Sequence, residues 1–142
     1  MDVKKYGEFI KAIELVDVFM PKSTGQRYWF GEQLHDPVAS VGFKSKLAEV
    51  KQGSIVIDGL FKVLGTHGEN EKVFTLDFVL RLKYSLTGFD LESIDDKQLK
   101  DMINAFRERN FPINAWPYAR EVVSSFTTRM GLPTLFIGVL RK

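Results

Sequence analysis

The strongest constraint in the sequence is a two-residue alternation over residues 73–86. Every even position from Phe74 to Leu86 carries an apolar or aromatic residue, and most odd positions are polar. Successive side chains of a strand point to opposite faces, so this period predicts a strand and excludes a helix. One buried face and one solvated face are typical of an antiparallel sheet.

Three further segments predict strands, at residues 10–20, 41–50 and 54–65. The short stretches 51–53 and 66–70 have the composition of hairpin connections. Segment 22–39 is rich in glycine and is predicted to be irregular, and whether it forms a lid or a strand stays open at this point. Together these segments predict a four-stranded antiparallel meander with one long first connection.

The apolar period becomes helical after residue 95. Asp95 suits a helix N-terminus, and apolar residues follow it at i, i+3, i+4 and i+7, namely Leu99, Met102, Ile103 and Phe106. A second apolar stripe follows Pro117, which we expect to begin the next helix because its missing N–H is harmless in the first turn. Gly131 and then Pro133 predict the end of that helix. Residues 132–140 are apolar and predicted to be extended.

Strands followed by helices predict the α+β class, with both C-terminal helices packed on one face of the sheet. A chain of 142 residues and 16.3 kDa is the usual size of one domain. We therefore expect a single domain over residues 1–142, with strands within 10–86, helices within 95–130 and an extended segment at 132–140.

The residue inventory offers little catalytic chemistry. The sequence has no cysteine, and its two histidines, His35 and His67, are predicted to be exposed loop residues. Motifs for phosphate binding, nucleophilic catalysis or metal binding are missing. Asp17 and Asp58 are candidates for an acid pair across the sheet, but strand positions that face water explain them as well. We expect a protein that is not an enzyme and needs neither cofactor nor metal.

Targeting signals and charge favour a cytoplasmic protein. No run of about 18 apolar residues predicts a transmembrane helix, and the first eleven residues lack the apolar core of a signal peptide. The 20 Lys and Arg residues against 18 Asp and Glu give a net charge of +2, which is too even to predict a nucleic-acid-binding protein. Membrane insertion and nucleic-acid binding are not expected.

Apolar residues exceed what one layer of helices can cover. Both faces of segment 54–65 are partly apolar, so the second face needs a partner subunit, a ligand or segment 22–39. This excess favours a protein that binds apolar polypeptide or associates with itself. The candidate client-binding residues are aromatic: Trp29, Phe30, Phe43, Phe61, Trp116 and Tyr118.

Residues 116–123 read Trp-Pro-Tyr-Ala-Arg-Glu-Val-Val, and this run resembles the motif that opens the main helix of the SecB protein-export chaperones. The similarity continues in register through Arg129, Gly131, Pro133 and Leu135. The resemblance implies a structural or subunit-contact role, and no catalytic one, for the motif residues Pro117, Tyr118, Ala119, Arg120, Glu121, Arg129, Gly131 and Pro133.

The resemblance also implies a fold and a function. SecB proteins have four antiparallel strands with a long first connection, followed by this helix. They are ATP-independent holdases that bind unfolded or aggregation-prone polypeptides in hydrophobic grooves and assemble as dimers of dimers. For this chain, a dimer and a tetramer both remain open.

Two departures from the export proteins weaken the expectation that this chain couples to the SecA motor. Its pI is about 8.8, whereas export SecB proteins are strongly acidic. Its sequence ends at Lys142, where they continue into a second long helix and a SecA-docking tail. Both points favour a dedicated chaperone, such as one that guards the antitoxin of a toxin–antitoxin pair.

Three other interpretations stay open at this point. The first is a non-catalytic homo-oligomeric adaptor without general chaperone activity. The second is a nucleic-acid-binding module, which the lysines at positions 44 and 46 suggest weakly. The third is a small-molecule enzyme, for which no residues can be named.

Overall fold

The computed structural model describes residues 2–31, 33–135 and 137. One four-stranded antiparallel sheet and three α-helices account for most of them, and a single 3-10 turn at Leu91–Ser93 precedes the second helix. In chain order the elements are α1 (Val3–Ala12), β1 (Ile13–Arg27), β2 (Val38–Lys51), β3 (Ser54–His67), β4 (Glu71–Leu86), α2 (Asp96–Arg109) and α3 (Phe111–Arg129). The predicted α+β class is confirmed.

The spatial order of the strands is β1-β4-β3-β2. Hairpins join β2, β3 and β4 into a meander, and the long first connection places β1 beside β4. Residues 22–27 continue β1, so only residues 28–37 of the segment predicted to be irregular lie outside the strands. We call residues 28–37 the connection. β1 and β2 are the two edges of the sheet.

The alternation in β4 determines which face of the sheet carries the core. Its even residues are at most 3% exposed from Phe74 to Leu86, whereas Asp77 and Lys83 are exposed. Phe61 of β3 lies opposite Phe78 of β4 in the register, so the odd-numbered residues of β3 share a face with the even-numbered residues of β4. They are buried on that face as well. We call this covered side the helix face and the opposite side the open face.

Helix α1 was not predicted, because the alternation around Ile13 suggested a strand from residue 10. The Asp2 carboxylate accepts hydrogen bonds from the N–H groups of Lys4 and Lys5 and so caps the helix. Phe9 is fully buried and packs edge-on against Phe106 of α2. The N-terminus therefore contributes to the core as a helix.

Helix α2 begins where the sequence predicts. Asp95 accepts a hydrogen bond from the Gln98 N–H at 2.7 Å, and the Gln98 side chain accepts one from the Asp95 N–H, which completes a capping box. Its buried residues, Met102, Ile103 and Phe106, belong to the predicted stripe.

The start predicted for α3 is wrong. The helix begins at Phe111, and Pro117 lies inside it. Pro112 occupies the first turn, where a missing N–H is tolerated, and residues 111–115 of the helix precede the motif. Its end is as predicted: Gly131 has a φ of +75° and stops the helix.

The predicted extended segment at 132–140 is described only in part. Leu132 is 7% exposed and Ile137 is 3% exposed, so both contribute to the core. Residues 136 and 138–140 lie outside the described residues.

Candidate functional site

Helix α3 crosses the helix face from one edge of the sheet towards the other. Near its start, the Phe111 ring stacks on Phe43 of β2 with the centroids 6.1 Å apart. Near its end, Met130 reaches β1 so closely that a Cβ atom at Gly25 would lie 2.6 Å from its Cε. Val41 and Phe43 on the edge strand β2 are only partly buried, whereas Val63 and Phe61, which lie opposite them on β3, are 2% and 1% exposed.

Aromatic rings gather where α3 meets β2 and β3. Phe61 has its ring centroid 4.9 Å from that of Phe43, 4.8 Å from that of Phe78 and 6.3 Å from that of Trp116. Phe61 and Phe111 are at most 1% exposed, whereas Phe43 and Trp116 are partly exposed. We call the surface formed by Phe43, Phe61, Phe111 and Trp116 the aromatic cleft. Its buried rings support the two that a ligand can touch.

A β-bulge brings Phe43 into this cleft. Counting back from the hairpin pair Lys51–Ser54 would place Lys44 opposite Phe61. The register shift between Leu47 and Glu49 places Phe43 there instead, on the helix face. Phe111 was not predicted as a member of the cleft, because the helix was expected to begin at Pro117 and not at Phe111.

The connection is fastened to the hairpin between β3 and β4. The Val73 carbonyl accepts hydrogen bonds from the N–H groups of Tyr28 and Trp29 at 2.7 and 3.1 Å. The Trp29 ring packs on His67, with the centroids 4.2 Å apart. The prediction that His67 is an exposed turn residue is therefore wrong: it is the last residue of β3 and 4% exposed.

Polar groups around His67 are incompletely paired. Its Nδ1 accepts a hydrogen bond from the His35 N–H at 3.4 Å. Glu71 Oε2 lies 3.2 Å from its Nε2, but outside hydrogen-bond geometry. The buried Trp29 Nε1 likewise has no hydrogen-bond partner among the described residues. His35 itself is exposed, as predicted.

The structure separates the six predicted client-binding residues into three groups. Phe43, Phe61 and Trp116 belong to the aromatic cleft. Trp29 and Phe30 lie on the connection. Phe30 is 76% exposed, and the Arg27 Cζ atom lies 5.1 Å from the centroid of its ring. Tyr118 is 43% exposed on α3.

The motif residues of α3 differ in burial. Ala119 is fully buried, whereas Pro117, Glu121, Arg129 and Pro133 are exposed. Arg120 is partly buried, and its Nε has no hydrogen-bond partner among the described residues. Arg27 Nη1 donates to the Met130 carbonyl at 2.8 Å, which ties the end of α3, just before Gly131, to β1.

The open face combines apolar and charged side chains. Leu60 and Leu64 are 40% and 38% exposed, and a shallow pocket of about 270 Å³ lies beside Leu60. Asp58 accepts two hydrogen bonds from Arg81, at 2.7 and 2.9 Å, and this contact raises the pKa of Arg81. Asp58 thus pairs with an arginine, and Asp17 lies two strands away opposite Lys83, so the two acids form no pair.

Two further findings concern metal binding and membrane crossing. Within residues 2–31, 33–135 and 137, no three His, Asp or Glu side chains are placed to hold a metal ion together. None of the described helices is both long enough and apolar enough to cross a membrane.

The fold matches that of a solved SecB-like chaperone. This structure, from Mycobacterium tuberculosis, is a complex with a ChAD peptide from the HigA1 antitoxin. It superposes with a TM-score of 0.81 over 98% of both chains, at 14% sequence identity. The chain has a SecB-like fold.

Sequence comparison adds little to this SecB-like fold. No protein-family model matches the chain, and no curated protein matches it. A protein of unknown function from Streptococcus agalactiae superposes with a TM-score of 0.47 at 8% identity, over 89% of this chain and 97% of that one. The similarity to the mycobacterial chaperone is a similarity of fold.

Proposed function

We propose that the protein is an ATP-independent molecular chaperone that holds unfolded or aggregation-prone polypeptides. The observation that carries this proposal is the aromatic cleft, in which Phe43 and Trp116 stay partly exposed above a layer of fully buried rings. Soluble proteins usually bury such rings or use them to bind a partner. The SecB-like fold supports the same function.

The physics of this surface suits many different clients. Burying one leucine or phenylalanine side chain yields about 1.5–3 kcal/mol without demanding a particular orientation. A few such side chains offset the cost of ordering an extended segment and give a reversible complex. No nucleotide is needed for binding of this kind.

We further propose a dedicated antitoxin as the preferred client. The mycobacterial structure with this fold holds a peptide from an antitoxin. The net charge of +2 and the absence of a strongly acidic character fit a partner other than SecA. Assembly as a dimer of dimers belongs to the same proposal.

The test is an aggregation assay without ATP. A chemically unfolded model protein is diluted into increasing amounts of this protein, and light scattering follows its aggregation. We expect suppression near one oligomer per client. Phe43→Ser and Trp116→Ser should each raise the amount needed at least threefold.

Phe19→Ser is the matched control, because Phe19 is 44% exposed on the open face, away from the cleft. It should protect as well as the parent protein, and circular dichroism checks that every variant is folded. No protection by the folded parent protein would contradict the proposal. An intact oligomer without protection would favour the adaptor interpretation.

A further inference from the structure

The open face of the sheet has an apolar centre with a lysine on either side of it. In one row across the four strands, Val79 of β4 lies opposite Leu60 of β3. Lys22 continues this row on β1, and Lys44 continues it on β2. Because neighbouring strands lie about 4.8 Å apart, the backbones of the two lysines are about 14 Å from each other. Leu60 is 40% exposed, so the centre of the row is accessible to a partner.

The shallow pocket of about 270 Å³ beside Leu60 belongs to this row. Two apolar and three charged side chains contribute to its lining, namely Leu60, Val79, Lys22, Lys62 and Asp77. The pocket therefore combines apolar surface for one side chain of a partner with a net positive charge beside that surface.

The lysines around the pocket exceed the acids. Four of them are exposed and form no ion pair among the described residues: Lys22, Lys44, Lys46 and Lys62. In the row of Lys46, Asp58 accepts two hydrogen bonds from Arg81, so its charge is already balanced. Asp77 is then the remaining acid in the rows of these lysines. We call the four lysines together with Leu60 and Val79 the basic patch.

A second copy of this chain does not match the charge of the basic patch. Two open faces packed on each other would each bring an excess of lysines, which is unfavourable. The helices of a second copy do not match it either, because basic residues outnumber acidic ones in each of them. The numbers are three to one in α1, four to three in α2 and two to one in α3. The charge complement of the patch must therefore come from a different molecule.

The apolar centre favours a protein over a nucleic acid. Leu60 and Val79 can bury an aliphatic or aromatic side chain, whereas none of the six residues of the basic patch is aromatic and could stack on a base. Asp77 within the pocket would also repel a phosphate. A polypeptide with apolar and acidic side chains avoids both problems.

The spacing of the lysines fits a helix. Helices are the elements that most often cover a sheet face, and a helix with its side chains is about 10–12 Å wide. A helix that runs along the strands would place one stripe of side chains on Leu60 and Val79. Its two flanks would then face Lys22 on one side and Lys44 on the other.

We propose that the open face binds a different protein through an amphipathic helix with acidic residues on both sides of an apolar stripe. The stripe packs on Leu60 and Val79, and the acidic flanks pair with the four lysines. This surface lies on the side of the sheet opposite the aromatic cleft. The inference therefore goes beyond the proposed function and does not depend on it.

The first experiment measures the binding of three labelled synthetic peptides to the full chain by fluorescence anisotropy. The first peptide has about 18 residues, or five helical turns, with a leucine stripe flanked on both sides by glutamate. The second has lysine in place of every glutamate, and the third has the composition of the first in an order without a stripe. The glutamate peptide should bind at least tenfold more tightly than the other two, and its affinity should fall as salt is added.

Protein variants locate the site. Lys22→Glu with Lys44→Glu should bind the glutamate peptide at least tenfold more weakly than the parent protein does, and should bind the lysine peptide more tightly. Leu60→Ser should weaken binding of the glutamate peptide at least threefold. Lys4→Glu with Lys11→Glu on α1 makes the same change in net charge and should leave the preference unchanged. Circular dichroism checks that every variant is folded.

Four outcomes would overturn the proposal. Equal affinity for the glutamate and lysine peptides would show that the lysines do not select the partner. Unchanged binding of the glutamate peptide by Lys22→Glu with Lys44→Glu would place the site elsewhere. A change in the oligomer mass of this variant would show that a second copy covers the open face. Displacement of the glutamate peptide by an equal concentration of single-stranded DNA would assign the patch to nucleic acid.

Failure of this inference and failure of the proposed function are distinguishable. Phe43→Ser alters the aromatic cleft and should bind the glutamate peptide like the parent protein. Lys22→Glu with Lys44→Glu leaves the cleft intact and should protect an unfolded client like the parent protein. A loss of both properties in either variant would contradict the separation of the two surfaces.

Discussion

The Trp29 ring lies on the His67 imidazole, with the centroids 4.2 Å apart and the planes tilted by 56°. This contact joins the connection to the last residue of β3, far away in sequence. Hydrogen bonds from Gly68 to the His35 carbonyl, at 2.7 Å, and from Tyr28 to the Val73 carbonyl support it. The position of the connection thus depends on this packed pair and on hydrogen bonds to the β3–β4 hairpin.

Trp29→Ala should loosen the connection while the sheet stays folded. Removing the partly buried ring should cost about 2 kcal/mol of the free energy of unfolding, less than a fully buried tryptophan. Amide hydrogen exchange at Tyr28 and Gly68 should accelerate more than exchange within β4. Phe30→Ala is the control: its ring is 76% exposed, so stability should change by less than about 0.5 kcal/mol. Unchanged exchange at Gly68 in Trp29→Ala would contradict this role.

Alanine substitutions at two glycines should change the free energy of unfolding in opposite directions. Gly131 has a φ of +75°, and its Cβ would lie 3.1 Å from Arg27 Nη1, so Gly131→Ala should lower the free energy of unfolding by about 1–2 kcal/mol. Gly7 lies within α1 with nothing within 4 Å of an added Cβ, so Gly7→Ala should raise it by about 0.5–1 kcal/mol. Urea unfolding measures both, and equal signs would show that one of these assignments is wrong.

Asp95→Ala should destabilise α2 at its N-terminus. The substitution removes the carboxylate oxygen that accepts from the Gln98 N–H, one of the two hydrogen bonds of the capping box, and should cost about 1 kcal/mol in urea unfolding. Asp95→Asn keeps a capping oxygen and should retain most of the stability. A loss in Asp95→Asn as large as in Asp95→Ala would point to charge instead of capping.

Stability should fall in alkali because of Tyr84. Burial raises the pKa of Tyr84 from 10.0 to about 12, although Asn114 Nδ2 donates to its hydroxyl at 3.1 Å and opposes the shift. The unfolded chain ionises first, so this contribution is fully present below pH 10 and is lost as the pH rises through about 12. Urea midpoints between pH 9 and 12 measure the loss.

Tyr84→Phe isolates this effect, because it keeps the ring and removes the titrating group. Its midpoint should decline less steeply over the same pH range, even if it is lower at pH 9 through loss of the Asn114 bond. Parallel declines in the two proteins would assign the alkaline loss to other groups, among them Tyr6, whose pKa burial also raises.

The local patterns of the sequence predicted local structure well. The alternation in β4 determines its buried face, and Asp95 with its apolar stripe determines α2, because both signals lie within one element. The gathering of Phe43, Phe61 and Trp116 was predicted only as a set of aromatic residues. Their contact depends on a bulge at Ala48 and on the crossing of α3, which no local pattern contains.

Where a prediction failed, either another local signal favoured a different structure or a contact between residues distant in sequence determined the structure. Tyr6, Phe9 and Ile10 follow a helical spacing that would have indicated α1, but the alternation from Ile13 onward extended the strand prediction over it. Pro117 suits a first turn, yet Pro112 takes that place because Phe111 is buried against the sheet. His67 was predicted to be a turn residue, but in the structure the Trp29 ring covers it.

The sequence by itself determined the cores of the four strands, the buried face of β4, the start of α2 and the ends of α2 and α3. Alternation and capping depend on residues that are close together in the chain, so they can be recognised in the sequence without knowledge of the fold. Only the tertiary structure decided that β1 pairs with β4, that Trp29 covers His67 and that Phe43 of β2 meets the rings of Phe61 and Phe111. These features depend on contacts between segments that are distant in sequence. Hydrophobic patterning indicates which side of an element is buried but does not indicate which other element covers it.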